Sequence, residues 1–303
     1  MKIDLKKLAE IEQYMPIIVL KQNIQNAVLD MMGKVLFDEG KHTYTRVSDG
    51  KLLAGVTSVT SLVPKEWLAA WGAKESVKFL GFSDFPEDVE IAETMLKKIK
   101  ACKTIKQYVA ILKEAKGAAF RKSKDAMLDG KIGHDWIERY IKTQMRGEKA
   151  PDMPEGMLER PLKQFLEWEK KNIKLWLLSE ARVCDPEREY AGTLDAMAIM
   201  NDGSSAIIDY KFASHISDEY SLQLAGYVAT FEKYGIKIDK RIIVRLPKTL
   251  EIPEWNPKTY KYKMIENNIE IMNFDKNYEF DRDTFYSALP VRKWVNFAQK
   301  KSN

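Results

Sequence analysis

The chain has 303 residues, 45% of them hydrophobic and 11% aromatic, enough to pack one large core or two small ones. No stretch approaches the ~20 apolar residues of a membrane span, and the longest early apolar run, Met15 to Leu20, has no cleavage-site pattern behind it, so neither membrane insertion nor secretion is expected. Two cysteines, Cys102 and Cys184, and three histidines, His42, His134 and His215, cannot build a four-cysteine iron–sulfur cluster, leave little for a closed zinc site and fit a reducing cytoplasm; a net charge of +5 is too small by itself to argue for a nucleic-acid partner.

Residues 1–40 carry Leu5, Leu8 and Ile11, then Ile24, Val28 and Met31, at helical spacing. From His42 to Val63 the pattern changes to two β-rich runs, His42–Val47 and Leu52–Val59, around the turn signal Ser48-Asp49-Gly50-Lys51. Pro64 then opens a helix in which Trp67 and Trp71, at i and i+4, read as core. Between Lys97 and Lys124 ten basic residues stand against the single acid Glu114, a local charge of +9. This helical segment is either a solvated face or a contact for phosphates. A helix from about Ala126 to Thr143 carries His134, Ile137, Glu138 and Ile141 on one face, and Pro151, Pro154 and Gly156 break the chain after it. Helical pattern resumes through Leu162, Phe165 and Trp168. Strands are expected at 176–184, 191–200, 205–212 and 241–246, with a helix from Ser217 to about Tyr234 between the last two and Gly235 past its end. With no repeat and no convincing linker, the expectation is a single domain over 1–303. It has a mostly helical elaboration to residue 125 with a hairpin at 42–63, a core at 126–250 and an extension over 251–303.

The informative stretch is Gly192-Thr193-Leu194-Asp195, the turn Asn201-Asp202-Gly203, and Ile207-Ile208-Asp209-Tyr210-Lys211. A three-residue loop over 201–203 puts Gly203 at the left-handed position and Met200 opposite Ser204, which brings Asp195 opposite Asp209 with Lys211 on the same face. A two-residue Asp202-Gly203 loop would slip the pairing by one and send the carboxylates to opposite faces. Two facing carboxylates repel when partly buried, so the first register implies a cation, and oxygen ligands suit Mg²⁺ or Mn²⁺. Lys211 beside them can orient an attacking water and stabilise charge on a phosphate. The same spacing is also compatible with two ordinary polar positions and a lysine salt bridge.

These segments, followed by Tyr220-Ser221-Leu222-Gln223-Leu224-Ala225-Gly226-Tyr227, resemble the motifs of RecB-like PD-(D/E)xK nucleases, and most closely the phage-type and mitochondrial genome maintenance exonucleases. The resemblance covers residues 130–247. It implies an α/β fold of the restriction-endonuclease-like type, a mixed sheet flanked by helices, and Mg²⁺- or Mn²⁺-dependent hydrolysis of DNA. It further implies that Asp195 and Asp209 bind the metal, that Lys211 serves catalysis, that Tyr210 lends its backbone carbonyl, and that Gln223 and Tyr227 contact phosphate or support the lysine. Gly130-Lys131-Ile132-Gly133-His134 is similar to an upstream G-x-x-x-H element, which implies His134 as a further ligand. Gly55-Val56-Thr57-Ser58-Val59-Thr60 is more weakly similar to an S-V-T element and reads equally as a plain strand. Asp209 stands where many members of the superfamily have Glu.

The function implied is a phage or prophage exonuclease for DNA recombination or processing, acting in the cytoplasm. An endonuclease of the same superfamily and a DNA-binding protein with a vestigial site are the alternatives, and a homo-oligomer or a recombination partner protein stays open. Of the secondary residues, Glu138 could face the metal but reads first as a surface salt-bridge partner, and Glu180 could reach the site from its strand but reads first as a solvated acid. His215 reads as a loop residue that touches DNA or does nothing. Arg241 and Arg245, with Lys237, Lys240 and Lys248, read as candidates to line the DNA path.

Overall fold

The structure, a computed structural model, describes residues 5–83, 89–256 and 261–301. In chain order its elements are α1 (Leu5–Lys34), β1 (Val35–Asp38), β2 (Thr43–Arg46), β3 (Leu52–Gly55), α2 (Val56–Thr60), α3 (Trp67–Phe79), α4 (Glu90–Lys100), α5 (Ile105–Lys116), α6 (Ala118–Arg146), α7 (Glu159–Asn172), β4 (Ile173–Asp185), β5 (Tyr190–Met200), β6 (Ser205–Phe212), α8 (Glu219–Glu232), β7 (Lys240–Leu246), β8 (Glu251–Asn256), β9 (Lys261–Glu266), β10 (Glu270–Asn273) and α9 (Tyr278–Lys301). The fold is α/β, with a mixed sheet flanked by helices. No helix among the described residues is long and apolar enough to cross a membrane.

The chain falls into two compact units, Met1–Val63 with Gly133–Asn303, and Pro64–Ile132. No Pro- or Gly-rich linker marks the second boundary because it lies inside α6, whose helical pattern continues across it. The smaller unit has a thin core around Met95, Ile111 and Ala115. Its α5 opens with a capping box in which Thr104 and Gln107 satisfy each other's backbone N–H groups. The basic run lies on α4, α5 and the start of α6, and two of its lysines are paired, Lys98 with Glu114 at 3.2 Å and Lys122 with Glu75 at 2.9 Å. Helix α3 starts at Trp67, three residues after Pro64, and buries no residue. Trp67 is 47% exposed, so its assignment to a core is corrected.

In the larger unit an eight-stranded sheet runs β1-β2-β3-β5-β6-β7-β10, with β4 paired to β5. β3 with β5 and β6 with β7 are parallel, and the other pairs are antiparallel. Side chains alternate between the faces, as a pleated strand requires. Met197, Ile199, Ile207 and Ile243 pack under α1, α2, α8 and α9. Ala196, Ala198, Ala206, Ile208, Ile242 and Val244 pack under α6 and α7. Sheet and helices thus enclose two buried layers, in which each large aliphatic side chain contributes about 1.5–3 kcal/mol. The first and last segments of the chain are part of this unit. Ile24 and Met31 of α1 and Phe285 of α9 are fully buried, and β10 closes the edge of β7.

The turn at 201–203 has Gly203 at φ +86°, with the Met200 N–H donating to the Ser204 carbonyl. Pairing then continues from Ile199 opposite Ser205 to Ala196 opposite Ile208, the register expected from a three-residue loop. The run Leu52–Val59 is corrected. It is a strand only to Gly55 and then turns into α2, where Val56, Val59 and Thr60 are buried. The hydroxyls of Ser58, Thr60 and Ser61 donate to carbonyls three residues back, an alternative to a sheet ladder that β-branched composition conceals.

Candidate active site

The site forms where β5 changes partners along one edge. β4 covers the other edge over its whole length, while this edge pairs with β3 at Tyr190 and Ala191 and with β6 from Ala196 to Ile199. Between these ladders, over 192–195, backbone groups need other partners. Asp195 Oδ2 accepts from the Tyr210 N–H at 2.9 Å, and the Thr193 carbonyl accepts from the Tyr227 hydroxyl at 2.8 Å. The fork opens a cavity of about 200 Å³ lined by Glu180, Asp195, Asp209, Lys211, Gln223 and Tyr227.

The next step of the β5–β6 register brings Asp195 opposite Asp209, and both carboxylates line the cavity with Lys211. Asp209 is fully enclosed. Lys211 Nζ lies 2.5 Å from its Oδ2, and Gln223 Nε2 donates to its Oδ1 at 2.7 Å. Gln223 also lies 3.4 Å from the Tyr227 hydroxyl. Gln223 and Tyr227 therefore hold the acid side of the site, Gln223 at Asp209 and Tyr227 at the β5 backbone. Tyr210 joins the cluster through its amide, while its ring packs edge-on against Phe165 at 5.4 Å. Lys211 also lies 5.0 Å from the centre of the Tyr220 ring.

His134 reaches the site from α6, its Nδ1 3.4 Å from Asp195 Oδ2. The preceding glycine makes this approach possible. A Cβ on Gly133 would overlap the ring of Phe212 on β6, so only glycine lets α6 press this closely on the strand.

Glu180 is the residue whose reading as a solvated acid is corrected. On β4, Ser179 pairs with Ala196 and Ala181 with Leu194, so Glu180 faces Asp195. Its backbone is left-handed at φ +49°, which costs about 1–3 kcal/mol for a residue with a side chain. One ligand atom each from His134, Glu180 and Asp195 lie within 4.8 Å of one another. Extending the hairpin register to the β4–β5 pair would have found Glu180 from the sequence.

Burial, then repulsion from Asp195 and Glu138, raises the Glu180 carboxyl to about 8. Burial and Asp195 raise Asp209 to about 6 against the pull of Lys211. Burial disfavours charge on Lys211, but Asp209 and Asp195 outweigh it and hold the ammonium protonated above its usual range. The cavity therefore gathers three acids around one permanent cation. Without a further positive charge, the acids compensate by taking up protons.

The remaining candidates lie elsewhere. Glu138 pairs with Lys142 on the surface of α6, as expected. Arg241 and Arg245 are corrected as DNA contacts, being 3% and 6% exposed. Arg241 binds Asp281 at 2.7 Å and the Ser221 carbonyl, and Arg245 binds Glu270 at 2.8 Å and the Asn268 carbonyl. Both are structural, tying β7 to the C-terminal elements. Lys240 pairs with Asp202 at 2.5 Å. His215 sits in the loop after β6, its Nδ1 3.0 Å from the Ser214 hydroxyl.

No protein-family model matches this chain, and no curated protein matches it. Among solved structures, the crystal structure of SSO0001 aligns with 92% of this chain and 86% of its own at 11% identity and a TM-score of 0.28, a likeness too slight to carry fold or function.

Proposed function

We propose that this chain is a divalent-metal-dependent deoxyribonuclease of the PD-(D/E)xK type, an exonuclease of phage or prophage DNA recombination or processing. The observation that carries the reading is the gathering of Glu180, Asp195 and Asp209 in one cavity with Lys211, beside His134. A purely structural role would leave three acids facing a single lysine, compensated only by the protons they take up. The donor set fits a hard divalent cation: carboxylate oxygens of Glu180, Asp195 and Asp209 with the His134 imidazole would hold Mg²⁺ or Mn²⁺. The chemistry such an ion supplies is polarisation of a phosphate oxygen and a lowered pKa for a bound water.

The chain's own groups do the rest. Gln223 fixes the Asp209 carboxylate by its 2.7 Å hydrogen bond and so keeps one oxygen turned toward Lys211. Lys211, held charged, can donate to the attacking water and to the phosphate oxygen on which negative charge grows. The Tyr210 N–H orients Asp195 without adding a charge that would compete for it. Water oxygen forms the new bond to phosphorus and gives up a proton to solvent while the bond to the departing strand oxygen breaks, and that oxygen takes up a proton from solvent, so the proton count is unchanged.

The resemblance supplies the preference for DNA and for strand ends. The test is incubation of purified protein with end-labelled linear DNA and with covalently closed circles, with Mg²⁺ or with chelator. Progressive shortening of the linear DNA with Mg²⁺ alone, while circles survive, is expected. Absence of cleavage with both Mg²⁺ and Mn²⁺ would remove the proposal, and rapid cutting of circles would replace exonuclease by endonuclease.

A further inference from the structure

A second cavity, of about 230 Å³, adjoins the acidic one and is bounded by β2, β3, α2 and α9. His42, Tyr44 and Thr57 line both, so the two are neighbours. Their charge is opposite. Glu180, Asp195 and Asp209 line the first, whereas among the described residues no Asp or Glu lines the second, where Arg292 of α9 supplies the charge and Ser58 and Asn296 add polar groups.

Arg292 Nε is buried and has no hydrogen-bond partner among the described residues. Buried Arg241 and Arg245 in the same unit show what this fold ordinarily does with a guanidinium, since each is bound by carboxylate and carbonyl oxygens. A buried cationic donor without an acceptor is costly, and the missing group is an oxygen acceptor, best supplied by an anion whose oxygens match the planar guanidinium fork. Phosphate has that geometry.

We infer that this second cavity is an anion subsite that holds a non-scissile phosphate of the strand being cut, with Arg292 as its charged contact and Thr57 and Asn296 as neutral ones. The inference rests on the nuclease reading and deepens it. The strand leaves the acidic cavity past Tyr44 and Thr57 and is gripped at α9, so binding energy gathered at Arg292 positions the scissile phosphate at Asp195 and Asp209. Such a contact acts on affinity and register, not on the bond-breaking step.

The test uses the full chain, Arg292→Gln and Arg292→Lys, with end-labelled oligonucleotides that carry either all natural phosphates or one neutral methylphosphonate walked through the non-scissile positions. Arg292→Gln should weaken DNA binding about tenfold, raise KM more than it lowers kcat, and lower the slope of log affinity against log salt by about 0.7–0.9, as expected when one phosphate fewer is neutralised. Arg292→Lys should keep the slope and lose part of the affinity. A methylphosphonate at one position should weaken wild type about as much as Arg292→Gln does, and should not weaken that variant further. If Arg292→Gln does not fold, the walk on wild type and Arg292→Lys decides. Unchanged affinity, KM and slope in Arg292→Gln, or no position at which the variant is indifferent to methylphosphonate, would overturn the subsite. So would protection of wild type by inorganic phosphate that Arg292→Gln loses while its DNA binding stays intact, because free phosphate would then be the ligand. Wild-type protein that neither binds nor cuts DNA would instead reject the nuclease reading, a result distinguishable from failure of the subsite alone.

Discussion

Strands β4, β5 and β6 hold a buried acid, Asp185, and an acidic cavity, and the two are neutralised in opposite ways. At the end where the strands meet, Asp185 is fully buried, accepts from the backbone N–H groups of Glu187 and Arg188, and pairs with Lys233 at 2.7 Å and Arg188 at 3.1 Å. Burial pushes its carboxyl up, but the bonds from Lys233 and Arg188 outweigh it and leave the pKa below the ordinary value. Five residues away, Glu180 faces Asp195 with Asp209 beside them, and there the carboxyls rise to about 8 and about 6. The chain thus has the means to neutralise a buried acid on these strands and uses them at Asp185. In the cavity it leaves a deficit of positive charge, the feature on which the proposed cation rests.

The comparison breaks most readily at the acids themselves. Asp195→Ala, Asp209→Ala and Lys211→Ala should each lower Mg²⁺-dependent cleavage about a hundred- to a thousandfold or more with the fold retained by circular dichroism. Asp185→Ala should do the reverse, costing about 1–3 kcal/mol of stability by taking the acceptor from the Glu187 and Arg188 N–H groups and leaving Lys233 with the exposed Glu187 alone, with cleavage per folded molecule unchanged. Loss of activity in Asp185→Ala without unfolding would erase the distinction.

A pH series sharpens the contrast. In chelator, Glu180 holds its proton in the folded state to about pH 8 and loses it near the ordinary value of 4.5 when unfolded. The folded state therefore binds more protons between these values. The stability this contributes is fully present below 4.5 and is lost as pH rises through 8, a fall of at most about 5 kcal/mol to which Asp209 adds. Asp185 runs the other way, contributing stability above 3.8 that is lost as pH falls through its lowered value. Melting temperature in chelator should thus decline from pH 5 to 8.5. Saturating Mg²⁺ should flatten the decline, by about 2.7 kcal/mol at a hundred times Kd. Glu180→Gln should flatten it without metal, and a decline unchanged in that variant would argue against the assignment.

Gly133→Ala tests how His134 is delivered. With a Cβ overlapping the Phe212 ring, the helix must move, at about 1–3 kcal/mol by thermal melting and with weakened Mn²⁺ affinity. The smallest effect is expected in the other unit. Reversing Lys97, Lys98, Lys100 and Lys103 to Glu should flatten the salt dependence of DNA binding by about 0.9 for each phosphate no longer neutralised. An unchanged slope would mark these lysines as a solvated face.

How legible the site was follows from how local its determinants are. Asn201-Asp202-Gly203 sets the β5–β6 register within a few residues, so the meeting of Asp195 and Asp209 just past the end of that ladder, in one cavity, could be read from the sequence. Glu180 could not be found without the longer β4–β5 hairpin, and its left-handed backbone is invisible to strand periodicity. Arg241 and Arg245 read as surface charge because their partners, Asp281 and Glu270, lie 40 and 25 residues on. In α2 the β-branched run Val56-Thr57-Ser58-Val59-Thr60 suggested a strand, and hydroxyl-to-carbonyl bonds with burial of both valines overrode propensity. Propensity loses wherever tertiary burial is strong.

The central claim is that the acids of the cavity await a divalent cation, and calorimetric titration of the metal-free protein with Mn²⁺ at pH 7 tests it most directly. Wild type should bind the ion and release a proton, because Glu180 with a carboxyl near 8 is still protonated at that pH; Asp195→Asn should lose the binding, and Asp185→Asn should keep it. Equal Mn²⁺ binding by wild type and Asp195→Asn, or no binding by wild type at millimolar Mn²⁺, would contradict the account.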